Sequence, residues 1–190
     1  GSVEKGFRTY ADYARSSGAL AVHPYDSVGT LSGQGTVGLE IEQQIDGLDT
    51  LFVAVGGGGL IGGIAAWYAG RVKIVAVETE GACSLDHTLK GTLPADFQVS
   101  GISASGLGAA SIGDLNIEII RAHVAENVVL SDEDVYEAAR RLWADTRIVC
   151  EPGGVTALAA LTSGAYVPAK GERVSVLLCG GNAEPNWFEA

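Results

Sequence analysis

Residues 51–63 read LFVAVGGGGLIGG, and the architecture follows from how that stretch is read. An apolar run, Leu51 to Val55, stops at four consecutive glycines, Gly56 to Gly59, and a second apolar run starts at Leu60. Glycine loses more backbone freedom on folding than any other residue, so four in succession need a physical reason. The two runs read as a buried strand over 50–55 and a helix over LIGGIAAWYA, joined by the glycines. In an open α/β sheet, ligands bind beyond the carboxyl ends of the strands. Glycines let the backbone come close to an anion, and successive N–H groups can converge on it. A helix N-terminus adds partial positive charge and unpaired donors. The stretch therefore points to a phosphate. The plainer alternative is a tight strand-to-helix turn without a ligand.

The flanking sequence extends this pattern. VKIVAVE, 72–78, is a continuous apolar run, as in a parallel strand covered on both faces, which completes a β-α-β unit with an expected right-handed crossover. Residues 80–113 show no periodicity and read as a long loop. NVVLSDED is a strand followed by an N-cap at Ser131, with Asp134 in the first turn. Val135, Ala138, Ala139 and Leu142 mark the next helix, a further helix spans 153–163, and VSVLLC, 174–179, is the last strand. Upstream, Phe7, Tyr10, Ala11 and Ala14 share one face of a helix over 7–16, GALAVHPYD reads as a short strand, and Val37, Ile41 and Ile45 place a helix over 34–46. The expected fold is α/β: an open, mostly parallel twisted sheet with helices on both faces, as one domain over 3–190.

Composition narrows the function. A chain of 190 residues, 47% hydrophobic and 18% charged, suits one globular domain, and its 27 glycines are about twice the usual share. A net charge of −11 argues against nucleic acid or an anionic membrane as the main partner. Neither a membrane span nor a signal peptide is evident. Cys83, Cys150 and Cys179 are odd in number and widely spaced, which suggests neither a disulfide framework nor a zinc site and fits a reducing cytoplasm. His23, His87 and His123 are equally scattered. Gly1-Ser2 reads as the remnant of a cleaved tag, and the absence of methionine suggests a piece of something longer.

Two phosphate chemistries fit the glycines. Gly57, Gly59 and Gly62 match G-x-G-x-x-G, with Glu78 about twenty residues on as a ribose ligand, the fingerprint of a dinucleotide site. Four contiguous glycines instead suit a loop wrapped around a single phosphate. The ordered set HPYD, GQGTVGLEI, VAVGGGGLIGGIA, VKIVAVE, EPGGVTALAAL and LLCGGN favours the second. Together these motifs resemble the pyridoxal-phosphate enzymes of the tryptophan-synthase-β type (fold type II), specifically the serine/threonine dehydratases and the related serine racemases, over nearly all of residues 7–183.

The resemblance implies a large domain whose tetraglycine loop, Gly56, Gly57, Gly58 and Gly59 with Leu60 beside it, holds the cofactor phosphate through backbone N–H groups. It places Cys179 at the pyridine nitrogen, where a weakly donating thiol leaves the ring a moderate electron sink; a buried strand cysteine is the simpler reading. It places Glu151 near cofactor and substrate, although an acid beside Pro152 also suits a helix start. Gly106 would lie against the ring, and Asn182 would support the Cys179 turn. Some relatives bind a divalent cation through E-x-x-x-A-x-D. Here Glu78 and Ala82 fit, but Ser84 stands in place of the aspartate, and an acid at a strand end accounts for Glu78 without a metal. The family pattern also includes a cofactor-bearing lysine in S-x-K-x-R-G and an S-x-x-N-H loop, and neither is present. None of Lys5, Lys73, Lys90 and Lys170 lies in such a context. The chain is thus expected to be the cofactor-cradling large domain without the smaller lysine-bearing domain. It would be inactive alone, and its parent would be a homodimeric ammonia-lyase acting on serine or threonine.

Overall fold

The structure, a computed structural model, describes residues 3–189, with the side chains at 3–8, 11 and 189 outside the described set. Gly1, Ser2 and Ala190 also lie outside it. Four strands, β1 (Thr50–Ala54), β2 (Lys73–Thr79), β3 (Val124–Leu130) and β4 (Val174–Val176), form one sheet in the order β3-β2-β1-β4, every pair parallel. Among the described residues the helices are α1 (Val3–Ser17), α2 (Val28–Gln44), α3 (Gly59–Tyr68), α4 (Ser84–Lys90), α5 (Asp114–His123), α6 (Asp132–Thr146) and α7 (Pro152–Thr162).

Both faces of the sheet are covered, which explains the unbroken apolar runs. Phe52, Ala54, Val75 and Val77 point to one side and pack with Val135, Ala138 and Ala139 of α6 and Val155, Ala157, Ala159 and Ala160 of α7. Leu51, Val53, Val55, Ile74 and Ala76 point to the other, against Ile61, Ile64 and Tyr68 of α3 and Ile120 of α5. All of β1 is buried, so Leu51, Phe52 and Val53 each contribute roughly 1.5–3 kcal/mol of hydrophobic stabilisation. The open α/β sheet with helices on both sides is therefore what the sequence encodes.

The strand order places a topological switch point at β1. From β1 the chain moves outward to β2 and β3, then returns to lay β4 on β1's other side. The crevice at β1's carboxyl end is where such sheets bind ligands, and the glycines Gly56 to Gly59 occupy it.

Several local expectations needed correction. Residues 18–26 form no strand. Leu20 and Val22 are exposed, and the segment turns instead at His23, whose Nδ1 accepts the N–H groups of Tyr25 and Asp26 at 3.3 and 2.7 Å. Helix α2 starts six residues earlier than its apolar period suggested, at a Ser27 cap that accepts the N–H of Thr30. Gly29 and Gly33 hid those first turns, although a Cβ on either would meet open space; the close crossing of α3 falls further on, where a Cβ on Gly35 would lie 3.3 Å from the Gly63 carbonyl oxygen and one on Gly38 3.0 Å from the Trp67 ring. The stretch 80–113 contains α4 and a 3-10 turn at Ile102–Ser105, and β4 ends at Val176 rather than 179. In α1, Tyr10 and Ala14 are half-buried, while the Phe7 and Ala11 side chains lie outside the described set.

Candidate cofactor site

The glycine loop is shaped by the residues that press on it. Gly58 has φ +87°, a left-handed conformation that favours glycine, and it caps α3. Gly57 lies flat against Tyr25, so a Cβ there would come within 2.6 Å of the Tyr25 Cδ atoms. Gly59 meets the Tyr25 backbone and Gly56 meets that of Leu107. The first bond of α3 runs from Gly62 N–H to the Gly58 carbonyl at 2.8 Å. The amides before Gly62 are those that a helix N-terminus leaves without an intrahelical partner.

These amides border a cavity of about 210 Å³ lined by Tyr25, Ala54, Gly56 to Ile61, Gly106, Leu107, Glu151, Gly153 and Cys179. The far wall is set by α7 and the segment after β4. Glu151 caps the start of α7, followed by Pro152, and its N–H donates to the Gly180 carbonyl at 3.1 Å. Cys179 N–H donates to the Gly154 carbonyl at 3.3 Å, and the Cys150 thiol donates to the Gly180 carbonyl at 2.8 Å. The Glu151 carboxylate packs directly over Gly180 and faces Gly106.

Of the residues expected at the site, the structure gathers Gly56, Gly57, Gly58, Gly59, Leu60, Gly106, Glu151 and Cys179 around one cavity. Asn182 is outside this lining and exposed, and the Cys179 turn is held by the backbone bonds just described. Burial pushes the Cys179 thiol above its ordinary pKa, with the negative charge of Glu151 adding to the effect. Cys150 is pushed up to about 11 by burial, then by Cys179 and Glu151. Both therefore carry their protons at neutral pH, and Cys179 offers the cavity a neutral donor.

Glu78 belongs elsewhere. It is fully buried, and its two carboxylate oxygens accept N–H from Leu85 and Asp86, each at 2.8 Å, and from the Asn127 amide at 3.0 Å. It caps α4. Burial outweighs these three donors and pushes its pKa up to about 7. A carboxylate so enclosed cannot reach a ribose, which removes the acid from the dinucleotide fingerprint formed with Gly57, Gly59 and Gly62. Its oxygens also face donors, an arrangement unlike that of a cation ligand. Among the described residues no group of three or more His, Cys, Asp or Glu is placed to hold a metal.

Tyr25, Leu107 and Gly153 line the cavity without having been singled out from sequence. HPYD marked Tyr25 as part of a motif, but nothing local indicated that its ring faces the glycines. No described lysine side chain lines the cavity. Lys73 opens β2 at the opposite edge of the sheet, bonded to Glu126 and Tyr166, and Lys90 pairs with Asp86.

The site fits a phosphate-bearing cofactor: a glycine loop closed to any Cβ, a helix N-terminus, and a neutral thiol across the cavity. Comparison with known proteins agrees. The family described as "Pyridoxal-phosphate dependent enzyme" matches residues 1–180. An L-threonine ammonia-lyase of Thermotoga maritima is 31% identical over 176 residues, covering 91% of this chain and 43% of that protein. Maize serine racemase superposes with a TM-score of 0.87 at 30% identity, covering 97% of this chain and 59% of that one. The processed form of threonine deaminase isoform 2 from Solanum lycopersicum does so with 0.81 at 26% identity, covering 92% and 52%. The chain thus spans less than two thirds of each of these relatives. Its similarity to them is of fold and sequence together, and this chain belongs to the family of pyridoxal-phosphate-dependent enzymes.

Proposed function

We propose that this chain is the cofactor-binding large domain of a hydroxy-amino-acid ammonia-lyase, which converts serine or threonine into a 2-oxo acid and ammonia. The observation that carries the reading is the convergence of the glycine loop, Gly106, Glu151 and Cys179 on one cavity at β1's carboxyl end. Pyridoxal phosphate, when bound, supplies the electron sink for chemistry at the amino acid's α-carbon. The chain's own residues hold and tune it. Amides of Gly56 to Leu60 would bind the phosphate. The Cys179 thiol, kept protonated, would offer the ring nitrogen only a weak hydrogen bond. Glu151 would add negative charge beside both. At about 210 Å³ the cavity is smaller than the roughly 300–1,000 Å³ of a complete small-molecule site, as expected of one wall of a two-domain cleft.

On this reading the lysine and the carboxylate-gripping loop come from a segment outside these 190 residues, and the whole enzyme is a homodimer. The test is to join the chain to the lysine-bearing segment of its own gene and assay it with pyridoxal phosphate and L-serine or L-threonine. Release of 2-oxo acid and ammonia is expected from the joined protein and none from the chain alone. Turnover by the isolated chain would overturn the need for the lysine, and no lyase activity in the joined protein would overturn the reading. The fit to maize serine racemase supports a second reading, and formation of D-serine in place of 2-oxo acid would favour it.

A further inference from the structure

We infer that Asn116 is a positioning residue that clasps the glycine loop to the Tyr25–Asp26 segment and thereby aims the loop's amides at the phosphate; this rests on the cofactor reading above. Asn116 lies in the first turn of α5 and is fully buried. Its Nδ2 donates to the Tyr25 carbonyl and to the Gly57 carbonyl, both at 2.8 Å. An amide nitrogen carries two hydrogens, so both are used. Its Oδ1 has no partner, and exchanging the two ends of the amide would set that oxygen against two carbonyls. The position therefore requires the donors.

Neighbouring bonds reinforce the clasp. Gly113 N–H donates to the same Gly57 carbonyl at 3.2 Å. The Asp26 carboxylate accepts the N–H groups of Asp114 and Leu115 at 3.0 and 3.1 Å, so the residue after Tyr25 caps the helix that bears Asn116. A trans peptide sets its C=O and the following N–H in opposite directions, and none of the described residues has a cis bond. With the Gly57 carbonyl drawn towards α5, the Gly58 N–H points away from α5. Neither Asn116 nor any other α5 residue lines the cavity. Asn116 thus acts through the loop and does not touch the ligand.

The test compares the chain with Asn116→Leu and the smaller Asn116→Ala, so that one variant suffices if the other fails to fold. The ligands are pyridoxine 5′-phosphate, which has no aldehyde to react with surface lysines, and pyridoxine as the phosphate-free control. Loss of two hydrogen bonds should weaken the phosphate ester about ten-fold and leave pyridoxine unchanged. Without ligand, the amides of Gly57 to Ile61 should exchange with solvent faster than in the parent chain, with those of α6 and α7 unchanged. Equal affinity for the phosphate ester, or unchanged exchange in the loop, would overturn the clasp. A parent chain that does not prefer the phosphate ester would overturn the cofactor reading, while the exchange measurement still decides whether Asn116 holds the loop.

Discussion

Tyr25 imposes the strictest requirement on the glycine loop, because its ring fills the space that a Cβ on Gly57 would enter. Gly57→Ala should therefore destabilise the chain even without ligand, by about 1–3 kcal/mol, as overpacking does. Urea unfolding measures it, and Tyr25→Ala introduced on top of Gly57→Ala should recover part of the loss, a coupling visible in a double-mutant cycle. If the loop were glycine only to admit a phosphate, Gly57→Ala would leave ligand-free stability unchanged. At this scale the sequence was legible where chemistry is written locally. The glycines, Glu151 beside Pro152 and Cys179 before two glycines each stand in a short recognisable context, and the structure gathers them. Asn116 stands in none, and HPYD, which contains Tyr25, carries no sign of where the ring goes. Asn116 and the ring meet Gly57 across 59 residues or by folding a loop over it, and no local pattern encodes such an encounter. Glu78 shows the reverse failure. Its spacing from the glycines suited a ribose ligand, but burial and three donors commit it to α4.

Helices announce themselves when their caps are local. Ser131 accepts the N–H of Asp134, whose carboxylate accepts the N–H of Ser131 in return, a capping box readable in SDED. Ser131→Ala should cost about 0.5–2 kcal/mol in thermal or urea unfolding, with affinity for pyridoxine 5′-phosphate unaffected. A change below the error of the measurement would mean that α6 is held by its packing on α7 alone. Helix α5 was missed for the complementary reason. The cap of its first amides is Asp26, 88 residues away from Asp114, and the local N-cap, Gly113, has no side chain to supply one. In helix α2, Gly29 and Gly33 interrupt the apolar period before residue 34 without a neighbour that requires them, whereas Gly35 and Gly38, inside the readable part, are the ones that meet α3. GALAVHPYD has the composition of a strand without a neighbour to pair with.

Across the whole molecule the two edges of the sheet have separate duties. The carboxyl edge holds the cavity. The opposite edge is fastened by a polar network in which Glu172 accepts from Thr50, Tyr166 and the Ala169 N–H, and Tyr166 in turn meets Lys73. Hydrogen bonds from Thr50, Tyr166 and Ala169 hold the Glu172 carboxyl down at about 2. Because the folded pKa lies below the unfolded value, this stabilisation is full above the ordinary glutamate pKa, near 4.5, and is lost as pH falls through about 2. Glu172→Gln should flatten the fall in unfolding midpoint across that window and leave phosphate-ester affinity at neutral pH unchanged; an unaltered acid limb would rule Glu172 out as its source. The layering of the sheet was readable from unbroken apolar runs, but this fastening was not, since Thr50 and Glu172 lie 122 residues apart. One boundary has a further consequence. Among the described residues β4 has β1 on one side and no strand on the other, and it pairs over only three residues before the chain runs on through Leu177 to Cys179. An uncovered edge is a template for backbone pairing. The open edge of β4, Val174–Val176, is therefore one place where another strand could add to this sheet.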